Sequence, residues 1–351
     1  MIRSRSIIAT PPGATIKEQL ADRGLSQKDF AFRMDMSEKH ISKLINGDVQ
    51  LTPSMARRLE MVLGVPSGFW LSLEAMYRDK LARAIEENQM EADKKIVKDI
   101  PYNEMAKYNW VPVTSNSTEK VINLRSFFEI ARLELLESQQ ITQIACRRMA
   151  SGEKQDYALL AMAQEARIEA RNTNTKPINI RGLKQSIPEI RAMTRMSPNY
   201  FCPKLTQMLS EYGIAIVFLP HIKGSFLHGA SFCDGKKIVV GLTIRGKYAD
   251  KFWFSLFHEL AHIIYGHIGQ SNGTSEEDEK IADIFARDTL IPRKEYDSFV
   301  QLKKFDRDSI ISFSQKIGID VGIIIGRLQK ENYIEYACFN NLKTKYEYSP
   351  E

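Results

Sequence analysis

The sequence is sparing with several features that usually orient a first reading. Only four of its 351 residues are cysteines. Cys146, Cys202, Cys233 and Cys338 are scattered without Cys-x-x-Cys spacing, which excludes a thiolate zinc site and a disulfide framework and leaves buried free thiols as the expectation. No apolar run approaches the length needed to cross a bilayer, and the start Met1-Ile2-Arg3-Ser4-Arg5 lacks the apolar stretch of a signal peptide. A cytoplasmic chain with no membrane partner is therefore expected. Internal repeats and low-complexity tracts are missing as well. Neither sign of charge dominates: the net charge of +6 permits contact with nucleic acid but is common in proteins that never touch it. What the chain does have is 43% hydrophobic and 26% charged residues, enough core and surface at this length for more than one domain.

The most telling run is His258-Glu259-Leu260-Ala261-His262. On a helix, positions four apart share a face, so both imidazoles can reach one metal ion while Glu259 stands beside the open coordination position. This is the spacing of zinc hydrolases, although five residues also recur by accident, and two hydrogen-bonded core histidines or two surface ones are the plain alternative. The flanks Lys251 to Phe257 and Ile263-Ile264-Tyr265-Gly266 are apolar nearly all round, which predicts a buried helix ending at the glycine. A second amphipathic helix follows from Glu279 to Leu290, with Ile281, Ala282, Ile284, Phe285 and Leu290 available to pack on the first. Glu279, at its N-terminal end, can face back toward the histidines. Two His and one Glu leave one zinc position for water, the catalytic arrangement. His267 fits poorly as a third ligand, because the extended metalloprotease pattern needs Gly three and His six residues after the second His, where Tyr265 and Ile268 stand.

The run Phe252 to His262, followed by Glu279-x-x-Ala282-Asp283-x-Phe285-Ala286, Leu290-Ile291-Pro292 and Gly326-Arg327-Leu328-Gln329, resembles the ImmA/IrrE family of metallopeptidases. The similarity covers roughly residues 196 to 345. It implies that His258, His262 and Glu279 bind one Zn2+ per chain and that Glu259 is the general base. Asp283 stands where the family carries Asn or Asp, which implies support of a ligand or an alternative ligand role.

The first 78 residues point elsewhere. Ser26-Gln27-Lys28-Asp29 reads as a capping-box-like start to a helix through Phe30, Ala31 and Met34. A turn at Met34-Asp35-Met36 follows, with Asp35 where Gly is commoner; Asp tolerates the left-handed backbone such a turn needs. Ser37 then caps a helix Glu38 to Ile45 that stops at Asn46-Gly47. That is a helix-turn-helix. Its second helix would lie in the major groove, making Ser37, Glu38, Lys39, His40, Ser42 and Lys43 the candidate readers, while Gln27 and Asn46 hold phosphates. Eleven basic against eight acidic residues in this segment leave a merely solvated helix pair as the bland alternative. Pro11-Pro12-Gly13, Gly24 to Gln27, Ile41 to Gly47, Leu51-Thr52-Pro53, Ala56-x-x-Leu59 and Gly64-Val65-Pro66-Ser67-x-Phe69-Trp70-Leu71 together resemble the HigA-type antitoxins of the Cro/C1 (XRE) family. That resemblance implies a DNA-binding homodimer acting as a promoter repressor.

The remainder is mostly helical. Residues 72–98 read as a solvated helix broken at Asp99-Ile100-Pro101, with further helical pieces at Val121–Leu136 and Asp156–Arg171, and Asn172 to Pro177 as the best linker. Gly213 to Pro220 reads as a buried strand, and Ala230 to Cys233 with Ile238 to Leu242 as a hairpin turning at Asp234-Gly235. Ile238, Val239, Val240, Gly241 and Leu242 are the candidate edge strand on which a substrate peptide adds by backbone hydrogen bonds. His228, just before the hairpin, is a weaker candidate for stabilising an oxyanion.

These readings predict an α+β, mainly helical chain. A five-helix helix-turn-helix domain of Cro/C1 type occupies 1–78, a helical spacer 79–195, and a zincin-like, ImmA/IrrE-type metallopeptidase domain with a small sheet and the His-Glu-x-x-His helix 196–351. The expected function is a DNA-binding transcriptional regulator whose zinc endopeptidase cuts a repressor or related regulatory protein, in a toxin–antitoxin, mobile-element or stress-response setting. The alternative is a HigA-like antitoxin or autorepressor whose peptidase-like domain binds a partner such as a toxin without cleaving it.

Overall fold

Three hydroxyl side chains start three helices near the N-terminus. Ser26, Ser37 and Thr52 each accept a hydrogen bond from the backbone N–H three residues on, at Asp29, His40 and Met55. In the computed structural model, which describes residues 2–138, 157–222, 229–243, 247–269 and 274–348, the chain divides into two units, Met1–Lys95 and Ile96–Glu351.

The first unit holds α1 (Gly13–Asp22), α2 (Gln27–Arg33), α3 (Glu38–Asn46), α4 (Pro53–Leu63) and nearly all of α5 (Ser67–Ile96), preceded by the short antiparallel pair β1 (Ile2–Arg3) and β2 (Ile8–Ala9). Ile16, Phe30, Met34, Ile41, Leu44, Leu59 and Trp70 are buried in one core. Each such side chain contributes about 2 kcal/mol on leaving water. Helix α1 crosses the end of α3 so closely that a Cβ on Gly13 would fall 1.9 Å from the Ile45 carbonyl oxygen. The strand pair is tied to α5 through Glu87, which accepts from the Ser4 and Ser6 hydroxyls at 2.6 and 2.7 Å.

The second unit begins with α6 (Tyr102–Lys107), α7 (Ser117–Phe128) and a 3₁₀ turn at Leu133–Glu137. Next come α8 (Tyr157–Ala170), α9 (Ile180–Ala192) and α10 (Pro198–Ser210). The sheet follows: β3 (Ile214–Leu219), β4 (Gly229–Asp234) and β5 (Lys237–Thr243) in the order β3-β5-β4. The two outer strands differ in direction, β3 running parallel to β5 and β4 antiparallel. Helices α11 (Ala249–Ile264), α12 (Glu276–Leu290), α13 (Arg293–Gln301), α14 (Arg307–Ile317) and α15 (Val321–Lys330) complete the unit. Alternation along the strands divides the sheet between two layers. Ile214, Ile216, Ile238, Val240 and Leu242 join the core around Trp253, Leu256 and Phe257 of α11, whereas Gly241, Ala230 and Phe232 turn to Leu159, Ala163 and Ala166 of α8. The architecture is mainly helical with a small three-stranded sheet in the second unit, and among the described residues no single helix is long and apolar enough to cross a membrane.

Four sequence-based expectations need correction. The boundary at 78 falls inside the unbroken 30-residue helix α5, whose last turns carry too few apolar residues to signal where one core ends. The boundary at 195 divides nothing, because Leu183, Ile190 and Met193 pack into the same core as the sheet and α11. The segment Asn172 to Pro177 is no linker between units: Lys237 Nζ holds the Ala170 and Thr173 carbonyls at 2.9 and 2.8 Å, and Lys176 N–H donates to Ser210 O. The thiols are less buried than expected, with Cys233 exposed and Cys202 and Cys338 half-buried; Cys146 lies outside the described residues.

Candidate functional site

Helices α2 and α3 meet at a turn in which Asp35 takes φ +50°, the left-handed backbone its residue type tolerates. Arg58 from α4 locks that turn, donating from Nη1 to the Met34 and Asp35 carbonyls at 2.7 and 2.9 Å. Helix α3 ends at Gly47, φ +81°. With Ile41, Leu44 and Ile45 turned inward, α3 shows solvent Glu38, Lys39, Lys43 and Asn46, while Ser42 is half-buried and Gln27 is exposed at the start of α2. Two of the expected readers have other duties. The Ser37 hydroxyl is the helix cap, accepting from His40 N–H at 3.2 Å, and His40 is half-buried with its Nε2 enclosed and lacking a hydrogen-bond partner. Lys39 and Lys43 are left as the principal cations of this face.

In the second unit, α11 is buried along most of its length because it lies between the sheet and α12. His258, Glu259 and His262 are 7%, 3% and 2% exposed. The Nε2 atoms of His258 and His262 approach to 3.0 Å, and Glu279 reaches them from the first turn of α12 at 3.2 and 3.4 Å. Among the described residues, these three are the cluster of ligand-type side chains whose donor atoms converge within 4.8 Å. The capping box of Ser275 and Asp278 sets the register of α12 that aims Glu279.

Each member of the cluster is held from behind. Asp283 Oδ1 lies 2.8 Å from His258 Nδ1, and that hydrogen bond is the main cause holding the Asp283 carboxyl below its ordinary range. Thr274 donates to Glu279 Oε1 at 2.8 Å. His262 Nδ1 meets His267 Nδ1 at 3.1 Å, and His267 Nε2 lies 3.3 Å from Asp278 Oδ1. Glu259 lies toward the sheet, where Ser231 on β4 donates to its Oε2 at 2.7 Å. Gly229 gives it room: a Cβ there would sit 3.1 Å from Glu259 Cγ.

The structure thus brings His258, His262 and Glu279 together, sets Glu259 against the sheet through Ser231, and hydrogen-bonds Asp283 to His258. The edge strand is corrected. Ile238, Val239, Val240, Gly241 and Leu242 form the middle strand, hydrogen-bonded on both sides, so none of its backbone is free for a substrate. Its unbroken apolar run was the signal, since a strand covered on both faces shows no alternation. The partly exposed β4 is the strand at the edge beside α11. Sequence reasoning missed Arg58, Ser231, Thr274 and Asp278, of which only Asp278 carried a visible signal, the Ser-x-x-Asp cap; His267, set aside there as a ligand, lies instead against His262 Nδ1. His228 lies outside the described residues.

A helix-turn-helix family model matches residues 16–70. Over 63 residues the chain is 36% identical to the uncharacterized HTH-type transcriptional regulator YddM of Escherichia coli (strain K12), covering 18% of this chain and 67% of that protein. The first unit is accordingly a DNA-binding helix-turn-helix domain of Cro/C1 type. Through that domain the chain belongs to the HTH-type transcriptional regulators.

Proposed function

We propose that this regulator also carries a zinc-dependent endopeptidase whose substrate is a repressor or related regulatory protein, and that it acts on DNA as a homodimer. The observation that carries the enzymatic reading is the convergence of two imidazoles and one carboxylate, His258, His262 and Glu279. A hydrogen bond from His258 to the Asp283 carboxylate requires the proton on Nδ1, so His258 Nε2 presents a lone pair toward His262 Nε2 and the Glu279 carboxylate, 3.0 and 3.2 Å away. With His262 Nε2 unprotonated as well, three acceptors at such range would be held together by a cation between them. Ligand bonds of about 2.0–2.1 Å at tetrahedral angles put neighbouring donor atoms about 3.4 Å apart, close to the 3.0–3.4 Å found here. Two imidazoles and one carboxylate suit zinc and leave a fourth position open.

His258, His262 and Glu279 would hold the zinc, which would supply Lewis acidity to a peptide carbonyl and to water. The chain's own residues do the rest. Glu259, beside the cluster and buried, accepts the proton of the attacking water and returns it to the leaving amine. Ser231 fixes the carboxylate's orientation from the sheet edge. β4, which pairs with no strand but β5 among the described residues, would offer its outer edge to an extended peptide and bring the scissile bond alongside α11. For the first unit, α3 enters the major groove with Lys39 and Lys43 against DNA, and a homodimer matches a two-fold operator.

Metal analysis of the full-length chain is the test. One zinc per chain is expected in the wild type, loss of it in His262→Ala and Glu279→Gln, and retention in Glu259→Gln with cleavage reduced by about 10² to 10⁴. If Glu259→Gln relieves repression as the wild type does, the second unit acts by binding its partner without cutting it.

A further inference from the structure

His267 lies five residues beyond His262, a spacing that on an unbroken helix would put it on a different face. The chain does not continue as a helix. Gly266 takes φ +76°, and a 3₁₀ turn at His267–Gly269 carries the imidazole back beneath His262. Both rings are nearly inaccessible, 2% and 5% exposed, and Tyr265 stacks on the His267 ring at 5.8 Å between centroids. We infer that His267 and Asp278 form a positioning pair that sets the tautomer and ring orientation of His262, so that its Nε2 lone pair is the one facing the metal. This rests on the metal-centre reading above.

The proton count runs from the carboxylate inward. Asp278 Oδ1, 3.3 Å from His267 Nε2, needs a hydrogen there. A neutral His267 then carries its lone pair on Nδ1. The Nδ1 atom of His262 faces that lone pair at 3.1 Å and must donate, which leaves Nε2 of His262 unprotonated. For His258 the same result needs one step, because Asp283 contacts its Nδ1 directly. Asp278 is itself immobilised: Oδ2 accepts from the Ser275 N–H and hydroxyl at 2.9 and 2.8 Å, closing the cap of α12. One carboxylate thus fixes both the helix that delivers Glu279 and, through His267, the orientation of His262. Such outer partners raise ligand basicity and ring order, and their loss typically weakens metal binding about 10- to 100-fold.

The experiment uses the metal-free full chain loaded with Zn2+ in competition with a chromophoric chelator, and with Co2+ for its visible spectrum. His267→Phe should bind zinc about 10- to 100-fold more weakly and shift the cobalt bands. His267→Gln, which keeps an acceptor for His262, should recover part of the affinity. Asp278→Asn should weaken binding too and add little to His267→Phe, whereas Asp283→Asn, acting through His258, should lower the affinity further in either background. Thermal midpoints of the metal-free variants separate these losses from misfolding. A wild-type chain that takes up neither metal would sink the metal-centre reading and this inference with it. Tight wild-type binding with an unchanged affinity and cobalt spectrum in His267→Phe would overturn the positioning pair alone.

Discussion

Ser231 at the sheet edge and Glu259 on the helix behind it are joined by one hydrogen bond of 2.7 Å, across 28 positions of sequence. The bond ties the candidate general base to the strand on which a substrate would lie. Misplacing either therefore disturbs the other.

Ser231→Ala should leave zinc content unchanged, because Ser231 touches no member of the ligand cluster. Release of fragments from a fluorogenic peptide library should fall about tenfold, the cost of a base that is present but poorly oriented. A loss of zinc, or an unaltered cleavage rate, would speak against this arrangement.

Lys39→Ala combined with Lys43→Ala should weaken binding to DNA covering the chain's own promoter and flatten its salt dependence by about one logarithmic unit per lost phosphate contact. Gel shifts over a salt series measure both. Zinc stoichiometry should stay the same, since the lysines belong to a unit with its own core.

The turn between α2 and α3 makes two opposite stability predictions. Arg58→Ala removes the donor to two backbone carbonyls from a half-exposed position and should cost about 1 kcal/mol. Asp35→Gly relaxes a left-handed backbone, gives up only a solvent-exposed ion pair, and should be neutral or stabilising by up to about 1 kcal/mol. Urea unfolding monitored at the buried Trp70 distinguishes the two signs.

Glu165 on α8 supplies a pH dependence. Burial first, and the neighbouring Glu169 second, push its carboxyl up from 4.5 to about 7. The folded state thus favours the protonated form: the stabilisation is complete below pH 4.5 and is lost as pH rises through about 7. Full conversion of that displacement gives about 3 kcal/mol, and partial solvent access trims it to roughly 2. Glu165→Gln should melt several degrees above wild type at pH 8 and with it at pH 5; equal midpoints at both would disprove the buried-carboxyl account.

Much of the site could be read from residue types alone because its parts are periodic. His258 and His262 share a face by helical spacing, Glu279 opens an amphipathic helix, and Asp35 and Gly47 mark backbone that few other residues adopt. What escaped is what depends on contacts between distant segments. Nothing local in Arg58 says that it clamps a turn 23 positions back, and nothing in Ser231 points to Glu259. The edge strand escapes sequence reading because strand propensity does not distinguish a strand paired on both sides, as Ile238 to Leu242 is, from one with an open edge. The end of the first unit was hidden for a related cause, since α5 runs on to Ile96 without any change in helical propensity near residue 78.

A solitary outer strand such as β4 is selective in a way that side chains do not reveal. It can pair only with a backbone whose own N–H and C=O groups are free, and a target segment already in a helix or sheet has none to give. On the proteolytic reading, susceptibility would follow the free energy of locally unfolding the target rather than its sequence alone. On that reading the signal that starts cleavage need never touch this chain: whatever loosens the target, whether a lost ligand, a dissociated partner or heat, would deliver it as substrate.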